Sequence, residues 1–332
     1  MRYTLRLAIA LAALALLLAG CAGSDEPSDA GAGDAETLTI AVIPKATMHV
    51  YWKSVLAGAR RAEADTEGVR VLWQGPARED DRADQVALVE TLVQKRVDGL
   101  VLAPLDEKAL VPPVRRARQA GIPVVIIDSG LADPGAAVSF VATDNFKGGV
   151  LAGRHMAELL DGKGKVIVLR YLVGSASNVK REEGFLAEIA RHPGIEVASS
   201  DQHGGPTVET AMATGEALLT KFGPGEVDGI FCPNEPMAWG MLRALTAAGR
   251  AGTVKLIAFD TSDRLLAAME KGHLDALVLQ DPVRMGEEGV RTVVEHLRGK
   301  EVPERIDTGV TLATPANLSE PDVDRLVHPP VK

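Results

Sequence analysis

The chain has 332 residues, a formal net charge of −9 and a charged fraction of 24%, with acidic and basic side chains interspersed and no basic run. This pattern argues against a nucleic acid or an anionic membrane surface as the binding partner. Seven scattered histidines and two cysteines show no metal-ligand spacing, so the sequence indicates neither a metal site nor another cofactor.

Residues 1–20 predict a lipoprotein signal peptide. Two arginines precede an unbroken apolar run over 7–18, which is short for a membrane-spanning helix and typical of a signal peptide. The run ends in LAGC at 18–21, which resembles a bacterial lipobox and implies Cys21 as the lipid-carrying first residue of the mature protein. An uncleaved membrane anchor is the alternative. Both interpretations place the folded part at the periplasmic or extracellular face of a membrane.

Residues 21–37 are small, polar and acidic, without apolar periodicity, which predicts a flexible linker. If Cys21 carries lipid, Cys232 has no partner cysteine, so we expect no disulfide bond. Cys232 stands at the end of an apolar run, where the expected role is that of a small buried hydrophobic residue.

Strands and helices alternate from residue 38 onward. In the first half, the apolar runs TLTIAVIP, VRVLW, DGLVLAP and IPVVIID alternate with segments of helical period over 52–67, 80–96 and 106–120. The strands are continuous Val, Ile and Leu runs, as expected when helices cover both faces of a parallel sheet. This alternation predicts a doubly wound α/β fold with right-handed crossovers.

The second half repeats this order with GKVIVLRY, IEVASSD, DGIFCP and VKLIAFD as strands, and with helices from 178, over 207–221 and over 236–248. Residues 97–128 and 227–260 form an internal repeat, since both contain Asp-Gly, an apolar strand, Pro, a helix, an Ala-Gly stop, a second strand and a final Asp. The roughly 295 residues after the linker are too many for one ordinary core. We therefore predict two similar α/β lobes.

Four polar residues follow the apolar strands, namely Lys45, Asp128, Asn234 and Asp260. Each could simply cap the next helix, but ligands of open parallel sheets bind beyond the carboxyl ends of the strands. Four such residues shared between two lobes favour a common cleft in a hinged clamp. An enzyme is disfavoured, because no glycine-rich phosphate loop opens a helix and no nucleophile is paired with a base.

Several motifs follow one another in a specific order: DGLVLAP, GIPVVIIDSG, VATDNFKGGVLAGRHM, GSASNVKREEGF, IFCPNEPMAWGMLRAL, IAFDTS and LQDPVRMGEEGV. Over residues 38–325 the chain resembles periplasmic sugar-binding proteins of the ribose/galactose type, the solute-binding components of ABC importers. The resemblance implies two similar doubly wound parallel-sheet lobes joined by a three-crossing hinge. It places the crossings near 143–144, 280–282 and 309–310, so that the lobes are 38–143 plus 281–309 and 144–280 plus 310–332.

The resemblance also implies the residues that contact the ligand. The polar contacts of the family fall on Asp128, Arg181, Asn234, Asp260 and Gln280. Carboxylates accept from neighbouring hydroxyls, a guanidinium donates a planar fork, and an amide both donates and accepts, so the set suits a polyol. Tyr51 and Trp52 match the paired aromatics that cover the C–H face of a sugar ring.

Lys45, His49, Ser129 and the pair Tyr51–Trp52 depart from the ribose-binding pattern. The expected specificity residues are Lys45, His49, Ser129 and His203, the last of which a loose local alignment places at the family's third aromatic contact. The pocket therefore implies a small sugar or related polyol other than ribose itself. Lys45, His49 and Arg181 together are also suited to a carboxylate, which leaves a sugar acid open.

For three residues the alternative to ligand contact is a purely structural role. Trp52 is adjacent to Tyr51 on a helix and could belong to the core, because neighbouring helical residues point in different directions. Arg181 could pair with Glu182 or Glu183. Asp144 could contact the ligand or cap the helix that begins near residue 146.

These observations together predict a monomeric solute-binding lipoprotein. It would close on a small sugar, deliver it to an ABC transporter permease, and contact the membrane through its lipid only. A sugar sensor that feeds a membrane receptor or kinase is the alternative, because both functions use the same closed clamp.

Overall fold

The computed structural model describes residues 37–331. The predicted signal peptide, the lipidation residue Cys21, the predicted linker up to residue 36 and Lys332 lie outside the described residues. Within 37–331, no helix combines the length and the apolar character that crossing a bilayer requires.

The first lobe is a six-stranded sheet with its flanking helices. Its strands are β1 (Leu38–Ile43), β2 (Val69–Trp73), β3 (Gly99–Leu102), β4 (Val124–Ile127), β5 (Ser139–Ala142) and β11 (Arg305–Asp307). Its helices are α1 (Val50–Ala64), α2 (Arg82–Gln94), α3 (Val111–Gln119) and α9 (Pro282–Leu297). All strands run parallel, in the order β11-β5-β4-β3-β1-β2.

The second lobe repeats this architecture. Its strands are β6 (Lys163–Val168), β7 (Gly194–Ser199), β8 (Gly229–Cys232), β9 (Lys255–Phe259), β10 (Ala276–Leu279) and β12 (Thr311–Ala313). Its helices are α4 (Asn145–Leu159), α5 (Ala176–Ile189), α6 (Val208–Lys221), α7 (Glu235–Ala247), α8 (Asp263–Glu270) and α10 (Pro321–Val327). The strand order is β12-β10-β9-β8-β6-β7, with only β12 antiparallel to its neighbour.

The chain passes between the lobes three times, after β5, after β10 and after β11. Near two of these crossings, the Thr143 hydroxyl donates to the carbonyl oxygen of Gly309 at 3.0 Å. Strands β3, β4, β8 and β10 are buried along their whole length, because helices cover both faces of each sheet. The predicted fold class, two similar doubly wound parallel-sheet lobes with a three-crossing hinge, is confirmed.

Both lobes contain very close helix–helix contacts at glycine residues. A Cβ atom on Gly149 of α4 would lie 2.0 Å from the carbonyl oxygen of Arg181 on α5, and one on Gly286 of α9 would lie 2.0 Å from that of Val55 on α1. Only glycine permits such an approach. These contacts fix the positions of α5 and α1, which carry several of the predicted ligand residues.

Candidate functional site

A cavity between the lobes brings together all nine residues of the main sequence prediction: Lys45, His49, Tyr51, Trp52, Asp128, Arg181, Asn234, Asp260 and Gln280. Five of them stand at strand ends: Asp128, Asp260 and Gln280 directly follow a strand, and Lys45 and Asn234 come one residue later. The carboxyl ends of the parallel strands in both sheets face the cleft. In this closed arrangement the cavity has a volume of about 30 Å³, which is room for about two water molecules. A larger ligand therefore requires the lobes to separate.

The two strand-end aspartates share an unusual backbone conformation. Asp128 after β4 has φ 61° and Asp260 after β9 has φ 67°, both in the left-handed region that Asp tolerates better than most residues. Such strain is held only where the surrounding structure determines it. The internal sequence repeat therefore extends to the backbone geometry of equivalent residues in the two lobes.

Three cation–carboxylate contacts lie in or beside the cavity. They join Lys45 Nζ to Asp128 Oδ2 at 2.6 Å, Arg181 Nη1 to Asp260 Oδ2 at 3.6 Å, and His49 Nε2 to Glu235 Oε2 at 3.3 Å. Burial raises the pKa of Asp260, against the opposing effects of Arg181 and of a 2.7 Å hydrogen bond from Gln280 Nε2. Each cationic side chain of the predicted site thus faces a carboxylate.

The Arg181 guanidinium is held from several sides. Its Nε donates to Asn145 Oδ1 at 2.7 Å, its Nη1 donates to the carbonyl oxygen of Pro233 at 2.8 Å, and it lies 4.2 Å from the centre of the Phe259 ring. The alternative pairings within its own helix are wrong. Glu182 accepts instead from the backbone N–H of Tyr171 and from Arg170, and Glu183 contacts Lys180.

The aromatic pair forms one wall of the cavity. The rings of Tyr51 and Trp52 meet edge to face, with centroids 5.0 Å apart. Trp52 is 2% exposed and packs in the first-lobe core. It also lines the cavity. The core position and the cavity position were alternatives in the sequence, and Trp52 occupies both. The Tyr51 hydroxyl donates to Asp128 Oδ1 at 3.4 Å. Burial, with the carboxylates of Asp128 and Asp260, raises the pKa of Tyr51 well above 10, so the hydroxyl keeps its proton.

His49 joins the two lobes. It is the N-cap residue of α1, where its Nδ1 accepts from the Tyr51 backbone N–H at 3.3 Å, while its Nε2 faces Glu235 of the second lobe. Burial opposes the charged ring, but the hydrogen bond to Glu235 and the surrounding carboxylates outweigh it and raise the pKa of His49 above 6.5. Burial also opposes ionisation of Glu235, yet hydrogen bonds from His49 and Arg264 lower its pKa to about 2.

Sequence reasoning missed four side chains of this region, namely Glu79, Ser177, Asn178 and Glu235. Glu79 connects the lobes, since it accepts from Trp52 Nε1 at 2.7 Å and from the second-lobe Tyr171 hydroxyl at 2.8 Å. It lies in a charged loop with no periodicity to mark it. Ser177 and Asn178 stand within one helical turn of Arg181, and that spacing was a usable signal.

Asn234 is both a cavity residue and a cap, because its side chain accepts from the backbone N–H of Met237 at the start of α7. Ser129 lies beside the cavity rather than in its wall, and its hydroxyl accepts from the backbone N–H of Ser177 across the cleft at 3.0 Å. Ser129 therefore contributes to lobe closure.

Like Ser129, the other two secondary candidates, Asp144 and His203, do not line the cavity. Asp144 caps α4, where it accepts from the backbone N–H of Lys147 at 3.0 Å, as the capping alternative expected. His203 is exposed, and its backbone pairs with Arg170 at the end of the second sheet.

Two further chemical features bear on the site. Within residues 37–331 no cluster of three His, Cys, Asp or Glu side chains could hold a metal ion. Cys232 is fully buried in the second-lobe core, and this burial raises the pKa of its thiol.

Comparison with known proteins gives consistent matches. The family model described as "Periplasmic binding protein domain" matches residues 40–301. The D-ribose/D-allose-binding protein of Pseudomonas aeruginosa is 29% identical over 311 residues, which cover 92% of this chain and 95% of that protein. All nine main cavity residues fall within the matched family region.

Two solved structures extend the comparison. A carbohydrate transporter solute binding protein from Agrobacterium radiobacter, in complex with D-arabinose, superposes with a TM-score of 0.83 at 34% identity, over 89% of this chain and 99% of that one. An ABC transporter solute binding protein from Agrobacterium vitis, with bound D-fucose, gives a TM-score of 0.81 at 37% identity, over 87% and 100% of the two chains. Both lobes are thus included in the similarity.

Proposed function

The chain belongs to the periplasmic binding protein family, among the sugar-binding components of ABC transporters, and from this membership we propose that it captures a small neutral sugar or polyol in the cavity between its lobes. It acts as a binding protein rather than as an enzyme. The lobes separate to admit the ligand and close on it as a hinged clamp.

The balance of charges in the cavity favours a neutral ligand. Lys45, Arg181 and His49 each face a carboxylate. Arg264 also pairs with Glu235, and Glu79 adds a fourth carboxylate to the wall, so the positive charges do not exceed the negative ones. A sugar acid would bring a further negative charge into a buried site without surplus positive charge, which is costly. Hydroxyl groups, which both donate and accept, suit the same side chains without this cost.

Each side chain then has a definite role. Asp128 and Asp260 accept from hydroxyls, and the Arg181 guanidinium donates to ring or hydroxyl oxygens. The amides of Asn234 and Gln280 pair with further hydroxyls. The aromatic wall covers the C–H face of the ring. Lys45 and His49 differ from the ribose-binding pattern and set which sugar fits.

Delivery completes the proposal. Lipid at Cys21 anchors a monomer at the outer face of a membrane, residues 21–37 form the tether, and the closed clamp presents the sugar to an ABC transporter permease. The lobes that move are 38–143 plus 281–309 and 144–280 plus 310–332. The names of the relatives as ABC transporter solute-binding proteins support this partner.

A thermal-shift screen tests the ligand class. The purified protein, unfolded and refolded once to remove bound ligand, is mixed with neutral sugars (D-arabinose, D-fucose, D-allose, D-ribose, myo-inositol) and with gluconate and galacturonate. A ligand at a hundred times its Kd stabilises by about 2.7 kcal/mol, a shift of several degrees. We expect a shift with a neutral sugar. A shift with acids only would overturn the charge argument, and no shift at all would overturn sugar binding.

A matched pair of variants tests the site. Asp260→Asn keeps the left-handed backbone acceptable and removes the carboxylate charge, so it should abolish the ligand-induced shift. Asp161→Asn is the control, because Asp161 also has a positive φ of 49° but is exposed outside the cavity. Equal ligand responses in the two variants would exclude Asp260 from the site.

A further inference from the structure

A second concave space, which we call the side groove, adjoins the cavity. It has a volume of about 640 Å³ and lies between the start of α1 in the first lobe and, in the second lobe, the turn after β9 and the residues after α10. Four residues line both the cavity and the side groove, namely His49, Tyr51, Asp260 and Gln280. The two spaces therefore adjoin along these shared side chains.

The side groove has an apolar section, next to polar and charged lining residues that include Asp263, Arg264 and His328. Six large apolar side chains are exposed within residues 37–331, and three of them line this groove: Met48 at 73%, Val50 at 37% and Val331 at 42%. The buried Leu326 and Val327 lie beside them. Exposed apolar side chains scattered singly need no explanation, but a group of them in one concavity indicates a binding surface.

An unpaired acceptor stands at the junction of the two spaces. Gln280 is 3% exposed, and its Nε2 donates to Asp260, while its Oε1 has no hydrogen-bond partner among the described residues. Buried amide oxygens are normally paired, because an unpaired one loses its bonds to water. A ligand donor at this point would satisfy the Gln280 oxygen.

We propose that the physiological ligand is a sugar with an apolar substituent, such as an aryl or alkyl glycoside, whose ring binds in the cavity and whose substituent lies in the side groove. This rests on the proposed function, because the ring must bind in the cavity first. Adjacency supports it, since the cavity and the side groove share lining residues. A hydroxyl of the ring donates to Gln280, and the substituent covers Met48, Val50 and Val331.

Calorimetric titration with matched ligands tests the inference. D-arabinose, D-fucose, D-allose and D-ribose are each compared with their methyl and phenyl glycosides, in both anomers. In at least one series we expect the phenyl glycoside to bind about tenfold more tightly than the free sugar, because the phenyl ring removes apolar surface from water. The methyl glycoside should gain little.

Rim variants locate the effect. Met48→Ser combined with Val331→Ser should reduce the phenyl advantage to less than threefold and leave the affinity for the free sugar unchanged. Val197→Ser is the control, because Val197 is also an exposed apolar residue, at 37%, but lies on β7, outside the groove.

The outcomes separate the two proposals. If a free sugar binds and its glycosides bind equally or not at all, the side groove is not a subsite, and the proposed function stands. An undiminished phenyl advantage in the rim variants also overturns the groove assignment. If neither free sugars nor glycosides bind, the sugar-binding function itself fails.

Discussion

Replacing Lys45 by methionine should destabilise the protein strongly. Lys45 Nζ lies 2.6 Å from Asp128 Oδ2, and both side chains are only 4% exposed. Methionine retains much of the apolar volume of lysine but leaves the Asp128 carboxylate buried without its countercharge. Removing one partner of a buried ion pair typically costs about 3–5 kcal/mol, because the remaining charge is uncompensated.

The measurement is the unfolding midpoint in urea and on heating, without ligand. We expect Lys45→Met to lower the Tm by several degrees or more. The double variant Lys45→Met with Asp128→Asn should recover at least half of the loss, because it removes both charges and keeps a residue that tolerates the left-handed backbone.

The control is an ion pair of the same length at the surface. Lys180 Nζ lies 2.6 Å from Glu183 Oε2, but these side chains are 59% and 47% exposed. Lys180→Met should therefore change the free energy of unfolding by less than about 1 kcal/mol. Wild-type stability of Lys45→Met, or a double variant as unstable as the single one, would refute the reasoning that burial makes this pair costly to break.

Two further predictions concern pH and packing. The carboxylate across the cleft raises the pKa of His49 above 6.5. The contribution of this group to stability is therefore complete below pH 6.5 and is lost as the pH rises through the raised pKa. The Tm should fall over this pH range in wild type and in the surface variant His203→Gln, but not in His49→Gln. A Cβ on Gly149 would lie 2.0 Å from the Arg181 carbonyl oxygen, whereas one on Gly130 meets its nearest atom at 3.9 Å. Gly149→Ala should therefore destabilise by about 1–3 kcal/mol in urea unfolding, and Gly130→Ala should not; equal stability of the two would contradict the packing argument.

The sequence sufficed for features that repeat along the chain. Continuous apolar runs identified the buried strands, and the internal repeat placed Asp128 and Asp260 at equivalent strand ends. Strand ends in parallel sheets meet at one edge, so the residues that follow them could be assigned to one cleft without coordinates. Family motifs added Arg181 and Gln280, which no periodicity marks.

The pairing of charges could not be read from the sequence. Lys45 and Asp128 are far apart in the chain, and their contact depends on the separation of strands β1 and β4 in the sheet. Glu79 was missed for a similar reason, since its partners Trp52 and Tyr171 come from different lobes. The sequence left a sugar acid open because it does not show that Lys45, His49 and Arg181 each lie beside a carboxylate.

The left-handed backbone at Asp128 and Asp260 restricts how this site can evolve. Glutamate carries the same charge but lacks the preference of aspartate and asparagine for this conformation. Replacing either aspartate by glutamate would therefore keep the charge but destabilise the left-handed backbone. Glycine would suit the backbone but removes the acceptor. Asparagine would also suit the backbone but removes the charge. Among homologues that diverge in the sugar they take, variation should therefore concentrate on neighbours such as Lys45 and His49, while the two aspartates stay unchanged.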